Sequence, residues 1–190
     1  SSCRFLESGS FKALLGTPIV SGPTDTQVSR EERDDAIILR GSHDGYADRF
    51  RVVHQRALKL SRDGSRLDGE DLFVSTDGDM IPQNVADEFA VRFHLHPTVK
   101  ANKLTDGHGA MLMLPNREVW TFNAYEDRVE IEESVYLSGS DGPRRAVQMV
   151  IYGRARKIPR VHWSLALANA QGSGGTRRRG EEPQLPLAAP

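Results

Sequence analysis

The strongest constraint on the fold is a pair of β-forming runs joined by a tight turn signal. Arg49 to Leu60 (RFRVVHQRALKL) ends in Ser61-Arg62-Asp63-Gly64, and Arg66 to Val74 (RLDGEDLFV) returns. Asp-Gly supplies the positive φ that a hairpin turn requires. The same rhythm of short β-rich runs between turn residues recurs along the chain: Asp35 to Arg40, Glu88 to His96, Ala110 to Leu114, Glu118 to Ala124, Arg128 to Leu137, Arg145 to Tyr152 and Val161 to Leu167. Pro115-Asn116 and Tyr125-Glu126-Asp127 turn the chain between three of them, and a polar stretch from Ser75 to Asp87 interrupts the series. Very little has helical period, and Lys12 to Leu15 is too short to count as a helix. The pattern predicts an all-β domain, an antiparallel β-sandwich of roughly eight or nine strands over residues 1–168. The tail, 169–190, is dominated by Gly, Ser, Pro and charge and reads as disordered, because it buries too little to offset its ordering entropy.

At 190 residues the chain holds one well-buried core, or at most two small ones. A formal net charge of −1 gives no field to steer it to nucleic acid or an anionic membrane, so neither is expected as a partner. The run Arg177-Arg178-Arg179 is followed by Glu181 and Glu182 and reads as a solvated stretch. One cysteine, Cys3, excludes an internal disulfide framework and a thiolate zinc cluster. No apolar run approaches the ~20 residues of a membrane helix. The opening SSCRFLESGS lacks an initiator Met, a basic start and an apolar core, and is expected to continue something longer, with any secretion signal upstream.

Six histidines are the raw material for chemistry: His43, His54, His94, His96, His108 and His162. His94 and His96 lie two apart on a strand, so both rings project from one face while Phe89, Val91, Phe93 and Leu95 take the core side. Such a pair begins a cupin-type metal site, but no carboxylate follows until Asp106 and Pro97 stops the strand; two polar groups on an outer face is the favoured reading. His43 and Asp44 are adjacent, and on extended chain they face opposite ways, so they form no hydrogen-bonded dyad. The glycines of Gly41-Ser42-His43-Asp44-Gly45-Tyr46 suggest a tight connection on which Tyr46 packs, its hydroxyl finding a backbone partner. His54 shares parity with Val52 and Leu58 and reads as a satisfied core or edge histidine. His108 sits at a turn tip, and either face is open to His162. Glu130 and Glu132 form a solvated strand face opposite Val129 and Ile131. There is no nucleophile elbow, phosphate loop or dinucleotide fingerprint.

In order and spacing, SHDGYADRFRVVHQRALKLS, RLDGEDLF, FAVRFHLHP, LPNREVWTFNA, IEESVYL and GPRRAVQMVIYG resemble the C-terminal region of heparinase II/III-like proteins, in the version found in alphaproteobacteria, from about Cys3 to Trp163. The resemblance implies an intact protein with an N-terminal α/α-toroid, absent here, that packs on a supersandwich-like β region. It implies a polysaccharide lyase that acts on acidic, uronate-containing glycans by β-elimination, and a periplasmic or envelope location. The family's catalytic Tyr and His, and the sandwich blocks that supply a further His and in some members zinc ligands, would fall in the toroid or before Ser1. No catalytic residue is therefore carried over to this chain, and no cofactor is expected on it, although zinc is possible in the intact protein. His43, Tyr46, Arg49, His94 and His96 are the candidates for touching sugar. The alternative is a non-catalytic carbohydrate-binding or packing module, since β-sandwiches do both. A metal-dependent cupin-like enzyme is the weakest reading.

Overall fold

The Asp63-Gly64 turn forms as predicted. The computed structural model describes residues 2–5, 22–78, 80–138 and 142–168. Gly64 sits at φ +70°, and Asp63 accepts from the Ser61 and Ser65 hydroxyls and the Ser65 N–H, which holds its carboxyl at about 2. In chain order the elements are β1 (Ser2–Phe5), β2 (Thr26–Glu32), β3 (Ala36–Tyr46), α1 (Ala47–Phe50), β4 (Val52–Ser61), β5 (Arg66–Ser75), β6 (Glu88–His94), β7 (Lys100–Lys103), β8 (Gly109–Met113), β9 (Val119–Asn123), β10 (Val129–Ser138), β11 (Gly142–Arg154) and β12 (Arg160–Leu167).

Two antiparallel sheets make the sandwich that the β rhythm predicts. One has eight strands in the order β2-β3-β4-β5-β12-β9-β8-β7, and the other has four in the order β1-β6-β11-β10. The core forms where alternate residues of the two inner faces meet. Phe89, Val91 and Phe93 of β6, with Met149 and Ile151 of β11 and Val129 of β10, press on Phe73, Trp163, Val161, Phe122 and Leu112 of the wide sheet. Phe73 and Phe89 have ring centroids 4.3 Å apart, and Phe93 meets Trp163 edge-on at 4.9 Å. Each of these large side chains contributes about 1.5–3 kcal/mol through burial. Gly69 seats the Trp163 ring: a Cβ there would lie 2.2 Å from it. The polar stretch before β6 is fastened by Arg156, whose guanidinium donates to the carbonyls of Pro82 and Val85 and pairs with buried Asp87 at 2.7 Å.

Several boundaries depart from expectation. β3 does not stop at Arg40 but runs through Gly41 to Tyr46, so the expected tight connection is strand, with a bulge-like shift of register between His43 and Tyr46. The turn comes later, at α1, where Arg51 takes a left-handed φ of +56° and its N–H caps the Ala47 carbonyl; β4 therefore starts at Val52 and not at Arg49. β6 ends at His94, leaving His96 beyond it. β1, β2 and β7 raise the described strands to twelve. The seven residues of β2 (TQVSREE) are nearly all exposed and carry no apolar alternation to announce a strand. The tail from 169 lies outside the described residues.

The wide sheet extends past its partner. Along β2, β3 and β4, cross-strand partners share a face, and the core-side row includes Val28, Leu39 and Leu60. These three remain 76%, 40% and 40% exposed.

Candidate functional site

Register builds the site. On the core-side face His43 of β3 stands opposite His54 of β4, and Arg56 of β4 stands opposite Asp71 of β5. Trp163 of β12 lies opposite Gly69, one step along the same face, with only hydrogen beneath its ring. Alternation does the rest, because residues two apart on a strand share a face.

The side chains form one continuous chain of hydrogen bonds. Asp71, fully buried, has Oδ1 at 2.7 Å from His54 Nε2 and at 2.7 Å from Arg56 Nε, while Trp163 Nε1 donates to Oδ2 at 3.0 Å. His54 Nδ1 lies 3.2 Å from His43 Nε2, and the Gly45 amide donates to His43 Nδ1 at 3.2 Å. Burial alone would raise the Asp71 carboxyl; the His54 hydrogen bond, the Arg56 charge and the Trp163 donor outweigh it and hold Asp71 below its ordinary value. An ionised Asp71 only accepts, so His54 Nε2 carries a hydrogen. His43 Nδ1 accepts from Gly45, so its hydrogen is on Nε2, since an imidazole accepting at both nitrogens would be an imidazolate. His54 Nδ1 is then the acceptor between the rings. Both histidines are neutral Nε2–H tautomers, and each donates inward toward Asp71.

The outer end of this chain opens onto a groove of about 510 Å³ over the uncovered part of the wide sheet. Its walls include Pro23, Leu39, His43, His54, Arg56 and Leu58, and among the described residues no carboxylate lines it. His43 packs edge-on against His54 and tilted against Tyr46, with centroids 5.2 Å away in both cases. Burial pushes the His43 imidazole below its usual value, the nearby His54 ring and Arg56 cation add to this, and Asp44 opposes it. Asp44 itself accepts from the N–H and hydroxyl of Thr24.

The five residues singled out from sequence divide into separate groups. His43 and Tyr46 belong to the relay's outer end. Arg49 lies on α1 with its guanidinium 5.7 Å from the Phe50 ring centre. His94 and His96 sit on the outside of the other sheet: His94 Nδ1 meets the Ser134 hydroxyl at 3.1 Å, and His96 Nδ1 meets that of Thr98 at 2.7 Å while its ring abuts Tyr136. Among the described residues no three His, Cys, Asp or Glu side chains converge on a metal-sized space. Sequence reading passed over Asp71, Arg56 and Trp163. The signal was present for one pair, since the Asp63-Gly64 turn sets the hairpin register that places Arg56 against Asp71.

A second charged cluster occupies the opposite face of the same strands. Glu70, fully buried, receives His162 Nε2 at 2.5 Å and Arg160 at 3.5 Å, which places His162 on the face away from the core. Glu70 Oε1 has no hydrogen-bond partner among the described residues. Asp127 nearby is pushed up to about 6 by burial and then by Glu126, against the pull of His162 and His108.

Comparison with known proteins agrees with this architecture. The family described as heparinase II/III-like, C-terminal, matches residues 1–164. FtsZ-localized protein C of Caulobacter vibrioides is 28% identical over 167 residues, covering 85% of this chain and 28% of that protein. The heparan sulfate lyase HepC of Pedobacter heparinus superposes with a TM-score of 0.60 at 9% identity, over 75% of this chain and 22% of the lyase. A heparinase III crystal structure gives 0.57 at 11% identity, over 75% of this chain and 21% of that one. At these identities the structural likeness establishes the fold alone, and the chain spans only about a quarter of the length of the relatives it matches. With a family match over nearly its whole described length and a lopsided two-sheet sandwich of the same fold, this chain belongs to the heparinase II/III-like C-terminal family.

Proposed function

We propose that this chain is the C-terminal β-sandwich part of a heparinase II/III-like polysaccharide lyase, and that in the intact protein it presents a wall to an acidic glycan while the elimination chemistry is supplied elsewhere. The observation that carries the reading is the groove over β2, β3 and β4. Imidazole and guanidinium donors stand on its polar side, Leu39 and Leu58 form an apolar side, and among the described residues no carboxylate lines it to repel an anionic sugar. Sugar rings offer the same division, with a C–H face and an oxygen edge. Within the described chain the acid–base groups are spent on one another, in the His43–His54–Asp71 row and the His162–Glu70 pair, which fits a supporting part that is inactive alone.

The test is to challenge the intact protein with a panel of uronate-containing glycans and follow the ultraviolet absorbance of unsaturated uronate products. Products from the intact protein and none from residues 1–190 support the reading, and elimination by the 190-residue chain alone would sink it. A second reading is a non-catalytic module that docks on other proteins. It is favoured by the curated relative whose name records localisation with FtsZ. A fluorescent fusion of the intact protein that gathers at division sites, together with silence across the glycan panel, would select it.

A further inference from the structure

We propose that the groove at His43 is an oxyanion site, for a carboxylate or a sulfate, and that filling it is coupled to the uptake of one proton by His43. The inference rests on the reading above only for the source of the anion; the proton coupling follows from the relay.

At rest the groups around His43 offer no net positive charge, and Arg40 of the groove wall is paired with Glu31 at 3.1 Å. Asp71 and Arg56 cancel as a pair at 2.7 Å, and both imidazoles are neutral in the tautomers their partners dictate. Among the described residues facing His43, its own strand contributes Asp44, occupied with Thr24, and Tyr46, whose ring packs on it at 5.2 Å; β4 contributes His54 and Arg56, β5 contributes Asp71 through His54, and Thr26 opposite it on β2 is uncharged. Both nitrogens of His54 are engaged, one by Asp71 and one by His43. Among the described residues His43 Nδ1 is held by the Gly45 amide alone, at 3.2 Å, a long contact for an N–H donor. This nitrogen is therefore where a proton can be added at least cost.

The proton balance is simple. A proton from solvent adds to His43 Nδ1, Nε2–H continues to donate to His54, and no bond in the inner chain has to reverse. The new Nδ1–H can no longer accept from Gly45, so the Gly45 N–H and the His43 Nδ1–H become two neighbouring donors for one anion. The imidazolium and the anion neutralise each other, and Asp71, acting through His54, stabilises the cation as a carboxylate behind a histidine does. The absence of a side chain at residue 45 fits this use, since a Cβ there would lie 3.1 Å from Nδ1 and 3.2 Å from Pro23 Cγ and a methyl group would crowd the two donors.

The experiment is calorimetric titration of the whole chain with sodium sulfate, sodium D-glucuronate and a heparin-derived oligosaccharide, in two buffers of different ionisation enthalpy and across the imidazole range. The expected result is uptake of about one proton per anion bound, with affinity falling about tenfold per pH unit above the imidazole's titration point. His43→Asn, half-buried at the groove's rim, should keep its unfolding midpoint and lose the proton uptake, and Gly45→Ala should weaken binding without abolishing the uptake. The sulfate and glucuronate arms decide which oxyanion is preferred. Binding with no proton uptake, binding indifferent to His43→Asn, or no binding by any of the three overturns the inference. Oligosaccharide binding that survives His43→Asn removes the inference and leaves the glycan reading; uptake with the small anions but no oligosaccharide binding does the reverse.

Discussion

Glu70 and Asp71 are consecutive on β5, both fully buried, and face opposite sides of the same sheet. Asp71 looks toward the core and takes donors on both oxygens from His54, Arg56 and Trp163. Glu70 looks outward, holds His162 and, at longer range, Arg160, and leaves Oε1 without a partner among the described residues. The comparison teaches that burial of a carboxylate does not by itself mark a site. Asp71 anchors a row that leads through two oriented imidazoles to a groove, whereas Glu70 anchors a local cluster of His162 and Arg160.

The largest effect expected from this contrast is at Asp71. Asp71→Asn removes the charge that balances Arg56 and places amide hydrogens against donors, and should cost about 3–5 kcal/mol in denaturant unfolding. Next comes Gly69→Ala, which drives a methyl into the Trp163 ring and should cost about 1–3 kcal/mol, with a change in tryptophan fluorescence reporting the moved ring. Glu70→Gln should cost only about 1 kcal/mol, because the amide can still accept from His162 while its NH2 finds no acceptor among the described groups. Equal losses at Glu70 and Asp71 would break the comparison.

The smallest effect is also the most diagnostic of pH. Asp127 has a folded value of about 6, above the ordinary carboxylate range, with burial as the first cause. Its neutral form favours the fold, so the contribution is fully present below about pH 4 and is lost as the pH rises through about 6. Asp127→Asn should leave stability unchanged near pH 4 and raise it by about 1 kcal/mol near pH 8, a modest figure because the group is partly solvated. A gain that is the same at both pH values would refute the assignment.

Much of the fold was legible because strands announce themselves by alternation and by turn chemistry. Asp63-Gly64 marked the central hairpin, and the parity of Phe89, Val91 and Phe93 marked the core face of β6. What escaped has physical reasons. β2 is an exposed, charged edge strand, a known way of guarding an edge, and it lacks the apolar signal that reading depends on. Gly41 and Gly45 look like turn residues, yet they lie in β3; Gly45 spares space beside His43 instead of turning the chain. The relay was half visible. The hairpin register pairs Arg56 with Asp71 by counting back from the turn, but pairing His43 with His54 requires knowing that α1 and Arg51 take up the intervening residues. His94 and His96 showed the opposite failure, a conspicuous sequence spacing whose two rings bond to separate neighbours.

Proton uptake at the groove depends on the direction of the hydrogen bonds from His43 to Asp71. Long-range nitrogen–proton NMR of the imidazole rings, in the whole chain at neutral pH without added anion, reads the tautomer of each histidine. Both His43 and His54 should carry their hydrogen on Nε2, with Nδ1 showing the chemical shift of an unprotonated acceptor. A hydrogen on His54 Nδ1, or a His43 protonated at both nitrogens in the absence of an anion, would contradict the relay and the groove chemistry built on it.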